Sequence, residues 1–313
     1  MRSPIFIFSM PRSGSTLLQK ILTTHPEICS HAEPWILLPI SCLHDYRNIQ
    51  SEFGFKSAQI AINDLIKSLP KGDAEYYKIL RNFSDSFYSS LKDSECKYFL
   101  DKTPRYFYII DFIKVLYPDA KFIFLIRDLK DVVSSYITYF NHNSIKRFDV
   151  YDGDLFNGPS LIYGAINTYK NSSLIVRYEK LLNETEVELS RIMEYIGLDK
   201  SGINIEKAFN NTKHSIMGDG NILKTKAILP YKENWSKNLS SFQRRSILKN
   251  TILKLNDNVV LLFNNTSKDK ELRILSVHRV HFSFIEMFQY LEILLARFVK
   301  KMAERVINFK DYN

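Results

Sequence analysis

The chain has 313 residues, of which 45% are hydrophobic and 25% are charged, and it contains ten glycines and ten prolines. This composition permits one large buried core and argues against a disordered chain and, because no internal repeat occurs, against a solenoid. The net charge of +9 comes from scattered lysines and arginines without a nucleic-acid-binding motif, so a small polyanionic ligand or an acidic substrate fits it better than nucleic acid.

Short apolar runs predict four buried β-strands, at residues 5–8, 98–100, 121–126 and 173–178. Apolar residues at helical spacing predict helices between and after them, from residue 17 and at about 55–69, 74–93, 105–117, 129–140 and 185–197. This alternation predicts an α/β fold with a P-loop-like parallel sheet flanked by helices. Ligands bind such sheets at the carboxyl ends of the strands, so the loops that follow the strands are the candidate sites.

The end of the chain predicts an amphipathic helix. Its apolar residues recur at helical spacing with basic residues among them: Phe284, Phe288, Leu291, Leu295, Phe298 and Met302, with Arg297, Lys300, Lys301 and Arg305. We therefore expect a main domain of residues 1–275 and a helical C-terminal extension of residues 276–313. Packing on the main domain is the usual structure for such a helix, and a peripheral membrane contact or a dimer face is the alternative.

The first strand leads into a loop that could hold an anion. The loop is Pro11, Arg12, Ser13, Gly14, Ser15 and Thr16. Backbone N–H groups converge where a strand leads into a helix, and Arg12 with the hydroxyls of Ser15 and Thr16 adds donors suited to phosphate or sulfate. An ordinary capped turn is the alternative. The lysine of a Walker loop is absent, which weakens a kinase or ATPase but not anion binding.

A second anion-binding pair follows the third predicted strand. Arg127 stands at the end of that strand, and Ser135 comes two turns into the next helix. Both side chains can reach one anion. The alternative is that Arg127 pairs with Asp128 or Asp131 on the surface.

These segments resemble the family of sulfotransferases that use 3'-phosphoadenosine 5'-phosphosulfate (PAPS), in particular the branch with tyrosylprotein and carbohydrate sulfotransferases. The sequence PRSGST, residues 11–16, is similar to the family's loop for the 5'-phosphosulfate. Arg127 and Ser135 match the pair that holds the 3'-phosphate, with the same separation along the chain.

Further segments carry the same resemblance. The stretch from His25 to Pro34 is similar to the segment in which tyrosylprotein sulfotransferases have a catalytic glutamate, and Glu33 occupies its place. Residues 101–104 (DKTP) resemble a motif whose lysine, here Lys102, stabilises charge on the transferring group. Tyr178 lies in a segment whose tyrosine is near the cofactor.

A late loop resembles the Gly-Asn-x-x-Arg segment with which carbohydrate sulfotransferases close over the nucleotide. Gly220, Asn221 and Lys224 occupy it here, and Trp235 follows. A lysine replaces the arginine and an extra Gly-Asp pair precedes it, so the register of this loop stays open.

The resemblance implies transfer of a sulfuryl group from PAPS to a hydroxyl acceptor, with adenosine 3',5'-bisphosphate as the product and no metal required. Glu33 is expected to accept the hydroxyl proton, with His31 as the alternative base. Lys102, Arg12 and the loop N–H groups are expected to stabilise the transferring and leaving oxygens. A saccharide or a small-molecule alcohol is the preferred acceptor.

Other functions stay open from the sequence: a protein-tyrosine sulfotransferase, a P-loop-type small-molecule kinase, or a non-catalytic nucleotide-binding protein. Single residues also have structural explanations, with Glu33 as a helix-start carboxylate, Lys102 as a surface charge, and Tyr178 and Trp235 as core aromatics. The order of the segments at successive strand ends favours the sulfotransferase, because one such match arises easily by chance and five do not.

The cysteines and the apolar runs bear on location. Cys29, Cys42 and Cys96 form no CxxC pair, which predicts neither a disulfide framework nor a thiolate metal site. Residues 1–10 are too short for a signal-peptide core, and no run of about 20 apolar residues predicts a membrane span. Together these patterns predict a cytoplasmic protein.

Overall fold

The computed structural model describes residues 4–45, 55–91, 96–210, 227–277 and 280–310. Five strands form one sheet in the order β2-β3-β1-β4-β5. They are β1 Ile5–Ser9, β2 Ile28–Ser30, β3 Tyr98–Asp101, β4 Lys121–Ile126 and β5 Ser173–Arg177. Strand β1 pairs in parallel with both β3 and β4, and β2 pairs in parallel with β3. The predicted parallel α/β sheet is confirmed.

Helices account for most of the remaining described residues. They are α1 Ser15–Leu22, α2 Leu37–Ser41, α3 Phe55–Lys67, α4 Asp73–Ser90, α5 Ile110–Leu116, α6 Leu129–Ser135, α7 Gly158–Thr168, α8 Tyr178–Asn183, α9 Thr185–Ile196, α10 Ile205–Asn210, α11 Trp235–Asn238, α12 Phe242–Lys254, α13 Asp257–Asn264, α14 Lys268–Val277 and α15 Phe284–Lys310. Short 3₁₀ segments lie at Pro104–Tyr108, Phe148–Tyr151 and Lys200–Gly202, and π-helical segments at Tyr136–Phe140 and Gly153–Asn157.

Two of the predicted helices are interrupted. The one expected at about 105–117 begins as the 3₁₀ segment Pro104–Tyr108 and becomes α-helical only at Ile110, because Ile109 leaves helical geometry. The one expected at 129–140 ends as an α-helix at Ser135 and continues as a π-helical segment. A short π-helical segment that interrupts an α-helix is frequent near functional sites.

The chain packs as two compact units, which we call the sheet unit (Met1–Ser9, Gly14–Leu125 and Ala165–Pro230) and the helical unit (Met10–Ser13, Ile126–Gly164 and Tyr231–Asn313). The sheet unit contains the whole of β1, β2, β3 and β5. The boundary at residue 275 that the sequence predicts stays a prediction.

The central strand β1 explains the core of the sheet unit. Alternate residues of a strand point to opposite faces. Ile5 and Ile7 belong to an aliphatic cluster with α1 and α9, whereas Phe6 and Phe8 join an aromatic cluster in which Phe8 contacts Phe122 edge-on at 4.9 Å between ring centroids. Both faces of the strand are covered, which accounts for the four consecutive apolar residues 5–8.

In the helical unit, α15 packs on α12 and on the 3₁₀ segment Phe148–Tyr151 through a mostly polar face. Its Glu286 pairs with Arg244 at 2.7 Å, and its Arg297 pairs with Asp152 at 2.6 Å. Ile293 lies on this face and is completely buried. In the described part of the chain, no helix has the length and the apolar character that crossing a membrane requires.

Candidate active site

The loop after β1 turns sharply into α1 at Gly14. This glycine has a φ of 90°, in the left-handed region, and forms the N-cap of α1, accepting hydrogen bonds from the N–H groups of Leu17 and Leu18. A side chain at Gly14 would overlap the ring of Tyr178, which packs directly against its Cα. A glycine is therefore required here both by the turn and by the close approach of Tyr178.

Ser13 offers a donor that the protein itself does not use. Its side chain is completely buried, and its Oγ has no hydrogen-bond partner among the described residues. A buried hydroxyl without a partner costs free energy, so it is expected where a ligand completes the site. At the start of α1, the first N–H groups likewise have no acceptor within the helix.

Within the helical unit, the two predicted anion-binding groups lie side by side. Arg12 donates from Nε to Oγ of Ser135 at 3.1 Å, and Arg127 donates from Nη1 to the carbonyl oxygen of Arg12 at 3.0 Å. The guanidinium of Arg12 also stacks 3.8 Å from the ring centroid of Tyr139, which belongs to the π-helical segment after α6. Stacking of this kind fixes the plane of a guanidinium group.

The surface alternative for Arg127 accounts for only part of its environment. Its Nη2 lies 3.6 Å from Asp131, and Asp131 also accepts a hydrogen bond from the hydroxyl of Tyr231 at 2.6 Å. Arg127 is largely buried in the helical unit, so this is not a solvated surface pair. The carboxylate holds the guanidinium in place beside Arg12.

In the sheet unit, Lys102 joins the predicted base to the anion loop. Its Nζ lies 2.5 Å from Oε1 of Glu33 and donates to Oγ1 of Thr16 at 3.3 Å. Only 1% of the lysine side chain and 10% of the glutamate side chain are exposed. The indole Nε1 of Trp35 donates to the second carboxylate oxygen at 3.1 Å. Lys102 is thus a buried cation rather than the surface charge that the sequence left as an alternative.

A buried carboxylate holds the segments that carry Lys102 and Glu33. Asp101 is completely buried and accepts hydrogen bonds from the hydroxyls of Tyr88 at 2.7 Å, Thr103 at 3.1 Å and Tyr106 at 3.1 Å. Desolvation by burial raises its pKa to about 6, against the lowering effect of these hydroxyls and of the neighbouring lysine.

The same hydroxyls reach the segment after Glu33. Thr103 accepts a hydrogen bond from the N–H of Trp35 at 3.2 Å, and Tyr106 accepts one from the N–H of Leu37 at 3.1 Å. Trp35 has a φ of 58°, a left-handed conformation that is unusual for a large residue and that these bonds stabilise.

Gln19 of α1 fixes the segment before Glu33. Its side-chain amide donates to Oγ of Ser30 at 2.7 Å and to the carbonyl oxygens of His31 and Ala32, both at 3.0 Å. His31 itself has an exposed side chain, whereas Glu33 faces Lys102.

Sequence reasoning thus led to Glu33, Lys102, Thr16, Arg12, Arg127 and Ser135, which the structure gathers into these two clusters. It missed Gln19, Tyr88 and Tyr106, and it included Asp101 in the 101–104 motif without assigning it a role. Trp235 is buried, as a core aromatic would be, and Gly220, Asn221 and Lys224 lie outside the described residues. In the ranges that the structure does describe, no three His, Cys, Asp or Glu side chains gather as metal ligands would.

Comparison with known proteins shows which family the chain matches. The sequence model described as the "Sulfotransferase family" matches residues 4–201. The chain is 27% identical to nodulation protein NoeE of Sinorhizobium fredii, over 71% of this chain and 57% of that protein. It is 25% identical to protein-tyrosine sulfotransferase A of Caenorhabditis elegans, over 62% of this chain and 50% of that protein. The chain therefore spans about half the length of these curated relatives.

A solved structure gives the same fold. Mouse sulfotransferase SULT7A1 complexed with PAP superimposes with a TM-score of 0.50 at 14% identity, over 85% of this chain and 88% of that chain. At this identity the match shows a shared fold.

Proposed function

Because the chain belongs to the sulfotransferase family, we propose that it transfers a sulfuryl group from PAPS to a hydroxyl group of a saccharide or a small-molecule alcohol. When bound, PAPS supplies the sulfuryl group and is converted to adenosine 3',5'-bisphosphate. The observation that supports this function most is the contact of Lys102 with both Glu33 and Thr16. It brings a carboxylate, a cation and an anion-binding loop to one point.

The residues around the loop fit an anionic nucleotide. Ser13 presents a buried hydroxyl without a hydrogen-bond partner among the described residues, and the first N–H groups of α1 have no acceptor within the helix. In this proposal, residues 11–16 bind the 5'-phosphosulfate, and Arg127 and Ser135 bind the 3'-phosphate. Tyr178 lies beside the nucleotide, and Gly220, Asn221 and Lys224 close over it.

The chemistry proposed for the protein's own groups is a proton transfer and a stabilisation of charge. Glu33 accepts the proton of the acceptor hydroxyl, a role worth roughly 10²–10⁴-fold in rate. Lys102, Arg12 and the first N–H groups of α1 stabilise negative charge on the transferring and leaving oxygens, and each well-aimed donor is worth about 3–4 kcal/mol. A buried ammonium acts strongly because little water screens it.

The location of the protein belongs to the same proposal. We place it in the cytoplasm, and the three cysteines, which form no disulfide, support this, since thiols stay reduced there.

Thermal unfolding with added nucleotide tests the donor. Adenosine 3',5'-bisphosphate at about 100 times its Kd should stabilise the protein by about 2.7 kcal/mol, because a ligand stabilises the state that binds it. Adenosine 5'-monophosphate, which lacks the 3'-phosphate, should do much less. Stabilisation by ATP with Mg²⁺ instead would indicate a kinase and overturn the proposal.

Transfer of radiolabel from PAPS tests the acceptor. Label should appear in glycans or small alcohols and should be absent from peptides whose only hydroxyl is tyrosine. Label in tyrosine peptides would instead identify tyrosine as the acceptor, the one in the name of the nematode relative. Nucleotide binding without transfer to any acceptor would indicate a non-catalytic protein.

A further inference from the structure

Helix α15 exposes the side on which most of its apolar residues lie. We call this side the apolar face; it consists of Phe284, Ile285, Phe288, Leu291, Leu294, Leu295, Phe298, Val299 and Met302. Its large side chains are strongly exposed, with Phe288 at 63%, Leu295 at 64% and Phe298 at 61%. A water-soluble helix normally buries such a face and exposes its polar one, so α15 has the reverse orientation.

The orientation follows from the contacts that hold α15 on the helical unit. Glu286, Tyr290, Ile293 and Arg297 recur at intervals of three or four residues and therefore share the opposite face. Tyr290 accepts a hydrogen bond from Asn250 at 2.9 Å, and Glu286 and Arg297 form the ion pairs with Arg244 and Asp152. These contacts commit the polar face to the protein, so the apolar face points outward.

The surroundings of the apolar face are basic. From residue 296 to residue 310 the sequence has Arg297, Lys300, Lys301, Arg305 and Lys310 against the single acidic Glu304. Lys300 and Lys301 are exposed. Partial burial lowers the pKa of nearby Lys254 and the positive charges of Arg297, Lys301 and Lys300 lower it further, although Asp152 opposes this. Positive charge is therefore concentrated at this end of the helix.

We propose that α15 docks the protein on an anionic lipid bilayer, lying in the plane of the interface with its apolar face inserted. A broad apolar face bordered by lysines is the pattern of interfacial helices, and anionic headgroups complement the basic residues. A coiled-coil partner needs only a narrow seam, whereas Ile285, Leu294 and Val299 widen this face beyond one.

Flotation of the full chain with vesicles tests the proposal. The protein should float with vesicles of phosphatidylcholine and phosphatidylserine, less with phosphatidylcholine alone, and less as salt is raised. Leu291→Glu with Leu295→Glu should lower the partition coefficient at least about tenfold, because two apolar side chains are lost from the inserted face. Lys300→Gln with Lys301→Gln should lower it roughly 25-fold, at about fivefold for each basic residue removed.

The control places the same charges on another helix. Ile60 and Leu65 of α3 are as exposed as the residues of the apolar face, so Ile60→Glu with Leu65→Glu should leave flotation unchanged. All of these side chains are exposed, and an unchanged melting temperature would verify that each variant is folded. No flotation of the unaltered chain, equal flotation of the Leu291/Leu295 variant, or an oligomer that this variant dissociates would each overturn the proposal. None of these measurements depends on sulfuryl transfer.

Discussion

The ammonium of Lys102 lies between a carboxylate and a hydroxyl of the sheet unit, almost without contact with solvent. Removing one member of a buried ion pair lowers the free energy of unfolding by about 3–5 kcal/mol, because the remaining charge is left without compensation. The pair that the proposed mechanism uses is therefore also a structural element, and its variants must be judged by stability and activity together.

Glu33→Gln is expected to lower turnover by roughly 10²–10⁴-fold, because the amide cannot accept a proton. Stabilisation by adenosine 3',5'-bisphosphate should persist, since Gln still accepts the hydrogen bond from Lys102. Steady-state transfer rates and nucleotide-dependent melting measure the two effects. His31→Gln serves as the control and should retain activity; the opposite pattern would assign the base to His31.

Asp101 predicts a specific pH dependence of stability. Its pKa in the folded protein, about 6, lies above the ordinary value of 3.8, so the folded state binds a proton in this interval that the unfolded chain has released. The contribution of Asp101 to stability is therefore greatest below about pH 4 and falls as the pH rises through 6, by on the order of 3 kcal/mol.

Asp101→Asn removes this titration. Denaturant unfolding of both proteins at about pH 4 and about pH 7 should show the unaltered protein losing stability relative to the variant as the pH rises. The variant should also lose activity, because the hydroxyls of Thr103 and Tyr106 would no longer share a carboxylate. A stability difference that does not change with pH would contradict the assigned pKa.

At the scale of elements, the turn from β1 into α1 requires both the backbone of Gly14 and its lack of a side chain. Gly14→Ala should destabilise the protein and weaken nucleotide binding, because the methyl group displaces the Tyr178 ring and the φ of 90° adds about 1 kcal/mol of strain. Gly197→Ala provides the matched control, since Gly197 has a φ of 83° and no neighbouring atom in the way.

Chemical denaturation of the two alanine variants separates strain from overlap. Gly14→Ala should lose more free energy of unfolding than Gly197→Ala, and adding Tyr178→Ala should recover part of the difference. If both variants lost the same free energy of unfolding, the overlap with Tyr178 would contribute nothing to the loss in Gly14→Ala.

The elements that the sequence predicted best are those with a simple apolar pattern. Strands β1, β3, β4 and β5 are found within one residue of the predicted ends. Strands β1, β3 and β4 are buried almost throughout, whereas in β5 only Val176 is fully buried, which corrects the prediction of a buried strand there. Strand β2 was missed because it has only three residues and ends in a serine that hydrogen-bonds to β3. No local pattern marks Gln19, whose acceptors are 11 to 13 residues away. Asp101 is part of the 101–104 motif, but the three hydroxyls that define its role are brought to it only by the fold.

At the scale of the whole molecule, the ion pair between Arg297 and Asp152 is one of the contacts that attach α15 to the helical unit. Arg297 donates twice to Asp152, at 2.6 and 2.7 Å, and both side chains are mostly buried. Asp152→Ala should raise the population of the detached helix about 10- to 100-fold, since hydrogen bonds between charged groups contribute roughly 1.5–3 kcal/mol.

Limited proteolysis followed by mass spectrometry measures this detachment. Cleavage within α15 should accelerate in Asp152→Ala, while stabilisation by nucleotide stays the same. Glu186→Ala breaks an exposed pair with Lys200 and should have little effect, because such pairs contribute little. Equal cleavage of both variants would show that α15 is held by its other contacts.

The side-chain amide of Gln19 helps to fix the position of Glu33 relative to α1. It extends from α1 and donates hydrogen bonds to the carbonyl oxygens of His31 and Ala32, just before Glu33. A shift of α1 would be transmitted to Glu33 by two routes, through the amide of Gln19 and through Lys102, which contacts both Thr16 and Glu33. In the proposed mechanism, these two contacts keep the carboxylate in register with the start of α1.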